Sequence, residues 1–185
     1  MKAVINQHKL FFVFLFKFLV FYIIFALAYK VYLNQYDVSK FEIDFISENV
    51  AHQTVSVLNF FGVNAQTFHH EFEPSMKIIY NGKYVSRIVE GCNAVSVIIL
   101  FSAFVFAFSN KFQRAFLFII IGSLLIYMLN IVRIILLTYA LFYYPHYEKL
   151  LHGTIFPLFI YGVVFILWVL WVTKFSTYAK TNIEE

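Results

Sequence analysis

The chain has 185 residues, of which 62% are hydrophobic and 13% are charged, and its formal net charge is +4. A soluble domain is closer to roughly half apolar and about a quarter charged, and this chain would expose too much apolar surface in water. The composition therefore excludes an ordinary water-soluble domain and favours a membrane protein with one domain, residues 1–185. The basic residues are few and scattered, so we predict no nucleic-acid partner.

Four apolar runs have about the length of a membrane-spanning helix, which needs roughly 20 residues. The first contains Lys17, whose side chain can reach the nearby interface, and it is too long to be the apolar core of a cleavable signal. The second reaches this length when residues 90–93 form its outer edge. The runs are Leu10–Leu33, Ala94–Phe108, Ala115–Tyr144 and Ile155–Thr173. We therefore predict an all-α polytopic membrane protein with about four transmembrane helices.

Positive charge in the short connecting segments predicts the orientation of these helices. With four spans, the N-terminal segment, the second connection and the C-terminal tail share one side, and they carry Lys2, Lys9, Lys111, Arg114, Lys174 and Lys180. This side is therefore predicted to be cytoplasmic, together with both chain termini. The other side holds an extracytoplasmic insert, about residues 34–93, with seven acidic and four basic residues.

The extracytoplasmic insert contains signals for a small amphipathic helix and a β-hairpin. Ser47–Phe61 places apolar residues at helical spacing, and Gly62 is suited to end that helix. Met76–Tyr80 and Lys83–Val89 flank Asn81-Gly82, a strong signal for a two-residue hairpin turn. An isolated hairpin is marginally stable, so we expect this one to rest on the amphipathic helix or on the membrane surface.

Three residues with chemically useful side chains are predicted to reach the outer face of the membrane. Cys92, the only cysteine, comes two residues before the second apolar run, and His152 comes three residues before the fourth. Arg133 lies 18 residues into the third run, which is about 27 Å from the inner end at roughly 1.5 Å per residue. A single cysteine excludes an intrachain disulfide and a cysteine-based metal site.

These three residue types together can carry out acyl transfer. A thiolate is a strong nucleophile, a histidine can accept its proton and later protonate a leaving amine, and an arginine can stabilise an oxyanion. Asn130 lies one helical turn before Arg133 and could orient it or bond to another helix. Glu90 could pair with Arg133 or His152, or face water.

Each of these residues also has a simpler interpretation. A lone cysteine can be an inert apolar side chain, a histidine near a helix start can be an interfacial polar residue, and an arginine near the interface can reach lipid phosphates. The arginine is the hardest to explain without a function, because its burial in lipid is costly. The adjacent His69 and His70 lack metalloprotease spacing, so we predict an exposed strand or loop there and neither a metal nor a cofactor.

The residues around these three positions resemble the exosortase and archaeosortase family. The resemblance rests on Glu90-Gly91-Cys92-Asn93-Ala94, on Asn130-Ile131-Val132-Arg133-Ile134 and on His152-Gly153 ahead of an apolar run. The amphipathic stretch and the hairpin also fit, and the short length is most similar to the small exosortase F-type branch. The resemblance implies that Cys92 is the nucleophile, Arg133 the transition-state stabiliser and His152 the general acid and base, with Asn130 and Glu90 in support.

Such a resemblance implies a membrane cysteine protease or transpeptidase in the bacterial cytoplasmic membrane. Its substrates would be exported proteins whose C-terminal sorting signal comprises a short motif, a transmembrane helix and a basic tail. The acyl group would pass to water or to an amine acceptor, such as a lipid or a glycan. The sequence departs from the family pattern after the cysteine, where Asn93-Ala94-Val95-Ser96 replaces the frequent Ser-Gly-Leu-Arg, and after the histidine, where Gly153 replaces a frequent acid.

Two functions of other classes stay open from the residues alone. A non-catalytic subunit of a membrane assembly would need no thiol. A transporter or channel component would need polar residues along a path across the bilayer, and the second and fourth runs hold almost none in their central parts. We therefore expect an enzyme, although the sequence does not name its substrate motif.

Overall fold

The computed structural model describes residues 9–109 and 111–175, which form a helical bundle and a small sheet. Within these ranges the helices are α1 (Lys9–Leu33), α2 (Phe45–Phe60), α3 (Val95–Ala107), α4 (Phe112–Tyr143) and α5 (Pro145–Phe175). The strands are β1 (Ala65–His69), β2 (Met76–Tyr80) and β3 (Lys83–Ile88). Lys2 and Lys180, which contribute to the predicted orientation, lie outside the described residues.

Three of these helices are long and apolar enough to cross a membrane, namely α4, α5 and the part of α1 from Phe11 to Leu33. This finding agrees with the predicted polytopic membrane protein. Helix α3 has 13 residues, or about 20 Å, which is less than the roughly 30 Å of a hydrocarbon core. It begins only at Val95, because Ala94 has a left-handed backbone with a φ of 66°. The count of four spans therefore stays a prediction.

Helix α5 begins earlier than the sequence predicts. The apolar run suggests a start at Ile155, but the helical segment begins at Pro145, whose fixed φ suits a first helical position. Its central α-helical part is flanked by the π-helical segments Leu151–Ile155 and Trp171–Phe175. His152 therefore lies inside the helix and not ahead of it, which corrects the expected placement.

Helix α3 packs against α1, α4 and α5. Gly122 lets α4 approach α3 closely, since a Cβ at this position would overlap the ring of Phe101. The buried apolar core of the bundle comprises Ala94, Phe101, Val105, Ala115, Ile126, Val164, Leu167 and Trp171. Outward side chains on the long helices are also apolar, and Phe16 and Leu158 are 69% and 70% exposed. Such surfaces require a lipid environment.

The predicted amphipathic helix is present as α2, although its start differs from the prediction. It begins at Phe45 because Asp44 is its N-cap, and the Oδ1 of Asp44 accepts a hydrogen bond from the Ser47 N–H at 3.0 Å. Gly62, with a φ of 82°, follows its end as predicted. Val50 and Leu58 of the predicted apolar face are buried, whereas Phe61 is 73% exposed.

The predicted hairpin is also present, and its turn residues Asn81 and Gly82 both have positive φ. Strand β1, which the sequence analysis does not predict, pairs antiparallel with β2 and completes a sheet of order β1-β2-β3. The hairpin rests on α2 as expected and also on α4. Its buried contacts join Met76, Ile78 and Ile88 of the sheet to Val50, Ala51 and Ile134 of the helices.

Candidate active site

Cys92 ends a short 3-10 turn, Glu90–Cys92, that connects β3 to α3. Its thiol is free and half-buried, and its N–H donates to the carbonyl of Val89 at 2.8 Å. Beyond it, the left-handed backbone of Ala94 redirects the chain into α3. This conformation costs an L-residue roughly 1–2 kcal/mol, so the surrounding contacts must hold the turn in place.

Asn130 on α4 provides one of these contacts. It is 1% exposed, and its Nδ2 donates a hydrogen bond to the backbone carbonyl of Cys92 at 2.7 Å. Its Oδ1 accepts a longer hydrogen bond, 3.5 Å, from the Nη1 of Arg133, one helical turn later. One buried amide thus connects the cysteine-bearing turn to the arginine.

Arg133 is half-buried within α4, and part of its hydrogen-bonding capacity is unused. Its Nε is buried without a hydrogen-bond partner. Among residues 9–109 and 111–175, no carboxylate lies within 4.0 Å of its guanidinium. A guanidinium placed in an apolar helix without a counter-ion is costly, and it suits a site that receives negative charge from a ligand or a transition state.

Glu90 pairs with neither Arg133 nor His152, which corrects two of the three partners considered from the sequence. Its Oε1 accepts a hydrogen bond of 2.7 Å from the hydroxyl of Tyr29 on α1. The same hydroxyl accepts a hydrogen bond of 2.8 Å from the Nδ2 of Asn93. The phenol therefore contacts the residues on both sides of Gly91 and Cys92.

Asn93 extends this polar network to two further elements. It is 1% exposed, its Nδ2 also donates to the Oγ of Ser47 at 3.1 Å, and its Oδ1 accepts from the N–H of Val95 at 2.9 Å. Tyr29, Ser47 and Asn93 are not among the site residues predicted from the sequence. Asparagine just before a helix is a recognisable capping signal, whereas nothing in the sequence pairs Tyr29 with residues more than 60 positions away.

His152 is exposed in the π-helical segment of α5, and its imidazole makes no hydrogen bond within the described part of the chain. The ring of Trp171, near the end of α5, and the ring of Phe118, near the start of α4, have centroids 4.9 Å apart. At about 1.5 Å per residue, His152 lies roughly 28 Å along α5 from Trp171, and Arg133 lies roughly 22 Å along α4 from Phe118. Measured from this ring contact, the two residues therefore differ in height by about one helical turn. The structure connects Cys92, Asn130 and Arg133, and it places His152 near the same end of the bundle without a bond to them.

A cavity of about 430 Å³ opens beside the cysteine-bearing turn. Its lining combines apolar side chains with four carboxylic acids and comprises Leu33, Tyr36, Val38, Glu42, Ile43, Asp44, Glu73, Pro74, Val89, Glu90 and Gly91. Glu73 is paired with Arg87. Because the cavity reaches Gly91, a side chain bound in it would lie next to the thiol-bearing residue.

A second cavity, of about 510 Å³, shares part of this wall and extends towards the end of β1. His69 and His70 line it, and the Nε2 of His69 lies 3.3 Å from the Oε1 of Glu48. A hydrogen bond from Lys77 holds the pKa of Glu71 below its usual range, so that this carboxylate stays ionised. The two cavities share Tyr36, Glu42 and Ile43. We call them together the acidic groove after Glu42, Asp44 and Glu90, which form no ion pair among the described residues.

A bundle of long apolar helices, in which one buried asparagine bonds both to the backbone of the cysteine and to an arginine, defines a polytopic membrane protein. The sequence matches the family model described as transmembrane exosortase (Exosortase_EpsH) over residues 7–175. The match covers most of the chain, so the protein belongs to the transmembrane exosortase family. No curated protein and no solved structure matches the chain.

Proposed function

We propose that the protein is a membrane cysteine protease or transpeptidase that cleaves the C-terminal sorting signals of exported proteins. The observation that carries the proposal is the link from the Cys92 carbonyl through Asn130 to Arg133, whose Nε has no partner. Family membership supports the same reaction class. The assignment to the F-type branch within the family is part of this proposal.

In this proposal, His152 accepts the proton of the Cys92 thiol, and the resulting thiolate attacks the scissile carbonyl carbon. The carbonyl oxygen becomes an oxyanion that Arg133 stabilises. The C–N bond breaks, the amine leaves with a proton from His152, and a thioester joins the substrate to Cys92. Water or an amine acceptor, such as a lipid or a glycan, then attacks the thioester. His152 takes the proton of that nucleophile, and the thiol is restored.

His152 has to approach the thiol for this sequence of steps, because it makes no bond to the other residues in the free protein. Two features support such an approach. It lies within about one helical turn of the level of Arg133, and it occupies the wide π-helical segment Leu151–Ile155. π-helical turns inside helices are frequent at functional sites.

The substrate is proposed to bind partly in lipid and partly in the acidic groove. Its C-terminal transmembrane helix would lie in the bilayer, against the exposed apolar faces of the long helices. The short motif before this helix would enter the cavity that reaches Gly91. This arrangement would present the scissile bond at the boundary between bilayer and water, where Cys92 connects the sheet to α3.

The proposed location is the bacterial cytoplasmic membrane, with both termini in the cytoplasm and the site on the extracytoplasmic face. Helix α3, extended by the turn before it, would complete a fourth span. Single cysteines introduced at Lys2 or Lys180 in a Cys92→Ala background test this orientation. They should resist an impermeant thiol reagent in intact cells and react after lysis, and labelling before lysis would reverse the assigned orientation.

A trapped thioester provides the direct test of the reaction. Native membranes are treated to retain covalent adducts of Cys92, and mass spectrometry should identify a peptide from the end of a sorting motif. Cys92→Ala should accumulate normally while its substrate keeps the C-terminal helix. Ser96→Ala is the matched control, because Ser96 is exposed on the first turn of α3 and its hydroxyl makes no hydrogen bond in the described part of the chain. Normal processing in Cys92→Ala would instead favour a non-catalytic assembly role.

A further inference from the structure

The turn that carries Cys92 is held from one side by a single phenol. The Tyr29 hydroxyl donates to the Oε1 of Glu90 at 2.7 Å and accepts from the Nδ2 of Asn93 at 2.8 Å. Glu90 precedes the thiol-bearing residue by two positions, and Asn93 follows it directly. One hydroxyl on α1 therefore fixes both flanks of the residue that the proposed reaction uses as its nucleophile.

The two hydrogen bonds of Tyr29 differ in what their loss would cause. Asn93 would keep its bonds to Ser47 and to the Val95 N–H, so the start of α3 would still be capped. Glu90 accepts no other hydrogen bond in the described part of the chain that would hold its side-chain oxygens. Loss of the phenolic hydroxyl would therefore release a carboxylate two residues from the thiol.

A free carboxylate near the thiol would oppose thiolate formation, because two negative charges at short range repel each other. We propose that Tyr29 is a positioning residue for Cys92, which anchors the cysteine-bearing turn to α1 and restrains the Glu90 carboxylate from approaching the thiol. The proposal rests on the proposed function, because it takes Cys92 to be the nucleophile. Its test measures the reactivity of the thiol and needs no substrate.

Other charged and titratable groups also lie around the cysteine-bearing turn, and their effect on the thiol is the same in every variant compared. Arg133 contributes from α4 through Asn130, and Tyr127 of α4 packs in the same cluster as Cys92. Further groups lie before α2 and along the adjoining cavity, and they are Asp44, Glu42 and Glu73. Since substitution of Tyr29 leaves these groups in place, a change in thiol reactivity reports on the released Glu90.

The test uses the fact that Cys92 is the only cysteine of the chain. The rate of alkylation by iodoacetamide is measured across a pH series on the full-length protein in detergent, by intact mass. Tyr29→Phe should move the midpoint of this rate profile upward by about one pH unit, as expected when a carboxylate is free to approach the thiol. An unchanged midpoint would overturn the proposal.

The matched control is Tyr22→Phe, which removes a phenolic hydroxyl two turns earlier on α1. The Tyr22 ring is 39% exposed and stacks on Phe18, and its hydroxyl makes no hydrogen bond within the described residues. Its alkylation profile should match that of the unmodified protein. A shift equal to that of Tyr29→Phe would show a general effect of altering α1 and would also overturn the proposal.

Glu90→Gln separates a specific role of Tyr29 from a structural one. In the Tyr29→Phe background it should return the midpoint to within about 0.3 unit of the unmodified protein, because the released group is then neutral. If Tyr29→Phe only loosened the turn, Glu90→Gln would not restore the midpoint. A midpoint that stays shifted in the double variant would refute the role of Glu90.

Glu90→Gln with Tyr29 intact keeps the test decisive if Tyr29→Phe does not fold. The carboxylate is already held by the phenol, so the midpoint should change little, and a change near one unit would overturn the proposal. Because alkylation needs no substrate, failure of the unmodified protein to cleave a sorting signal would refute the proposed function without altering these results.

Discussion

Replacement of Asn130 by aspartate tests the connection between the thiol-bearing turn and the arginine. The substitution conserves size but replaces the Nδ2 donor by an acceptor, which then faces the Cys92 carbonyl at the present distance of 2.7 Å. Residue 130 is 1% exposed, so the introduced carboxylate has little access to water. The introduced carboxylate would also pair with Arg133 and withdraw it from the developing oxyanion.

The magnitude of the loss follows from the part-buried hydrogen bond between Asn130 and the Cys92 carbonyl. An unsatisfied buried polar group costs about 1–3 kcal/mol. If about 2–3 kcal/mol of this cost is expressed in acylation, kcat/KM falls by roughly 30- to 150-fold. The assay is cleavage of a sorting-signal substrate in detergent, with a melting temperature measured on the same sample to confirm folding.

Ser123→Ala is the control for this experiment. Ser123 lies two turns earlier on α4, and its buried Oγ has no hydrogen-bond partner, so its loss removes no contact to the site. The control should retain activity. A folded Asn130→Asp protein whose kcat/KM stays within about threefold of the unmodified value would refute the argument that this amide organises the site.

Three further predictions concern the arginine, the histidine and the helix contact. Arg133→Lys should lose about 2.7–4 kcal/mol of transition-state stabilisation at every pH, since lysine lacks the planar set of donors, and single-turnover acylation rates would reveal this loss. His152→Ala should be nearly inactive at neutral pH and recover as pH rises and the thiol ionises unaided, so a flat pH–activity profile would contradict its role. Gly122→Ala should lower stability by about 1–3 kcal/mol, because its Cβ would overlap the buried ring of Phe101. Denaturation in detergent measures this loss, which Phe101→Leu in the same protein should partly relieve.

The site illustrates how a membrane protein can stabilise a strained turn at a helix start. Ala94 has a left-handed backbone where glycine would be easier to accommodate. The contacts that hold this turn come from three sides, because Tyr29 lies on α1, Ser47 on α2 and Asn130 on α4. Each side chain is polar and partly or fully buried, so each bond is costly to lose.

The sequence by itself determined the environment, most helices and the chemically useful residues. Period and hydropathy are local properties, so they predicted the long helices, the amphipathic helix and the hairpin turn at Asn81 and Gly82. These local patterns failed to predict an element where the pattern was weak or where polar residues interrupted it. Strand β1 has little apolar alternation, and the polar residues after Pro145 concealed the true start of α5.

Only the tertiary structure decided which side chains meet. Asn130 reaches across 38 positions to the Cys92 carbonyl, and Tyr29 reaches across 61 and 64 positions to Glu90 and Asn93. A single sequence gives no measure of such distances, because they depend on how whole helices pack and rotate against one another. The close approach of α3 and α4 at Gly122 sets part of this packing. Residue types therefore predicted the chemistry of the site, while helix packing determined the polar contacts that hold the thiol-bearing turn in place.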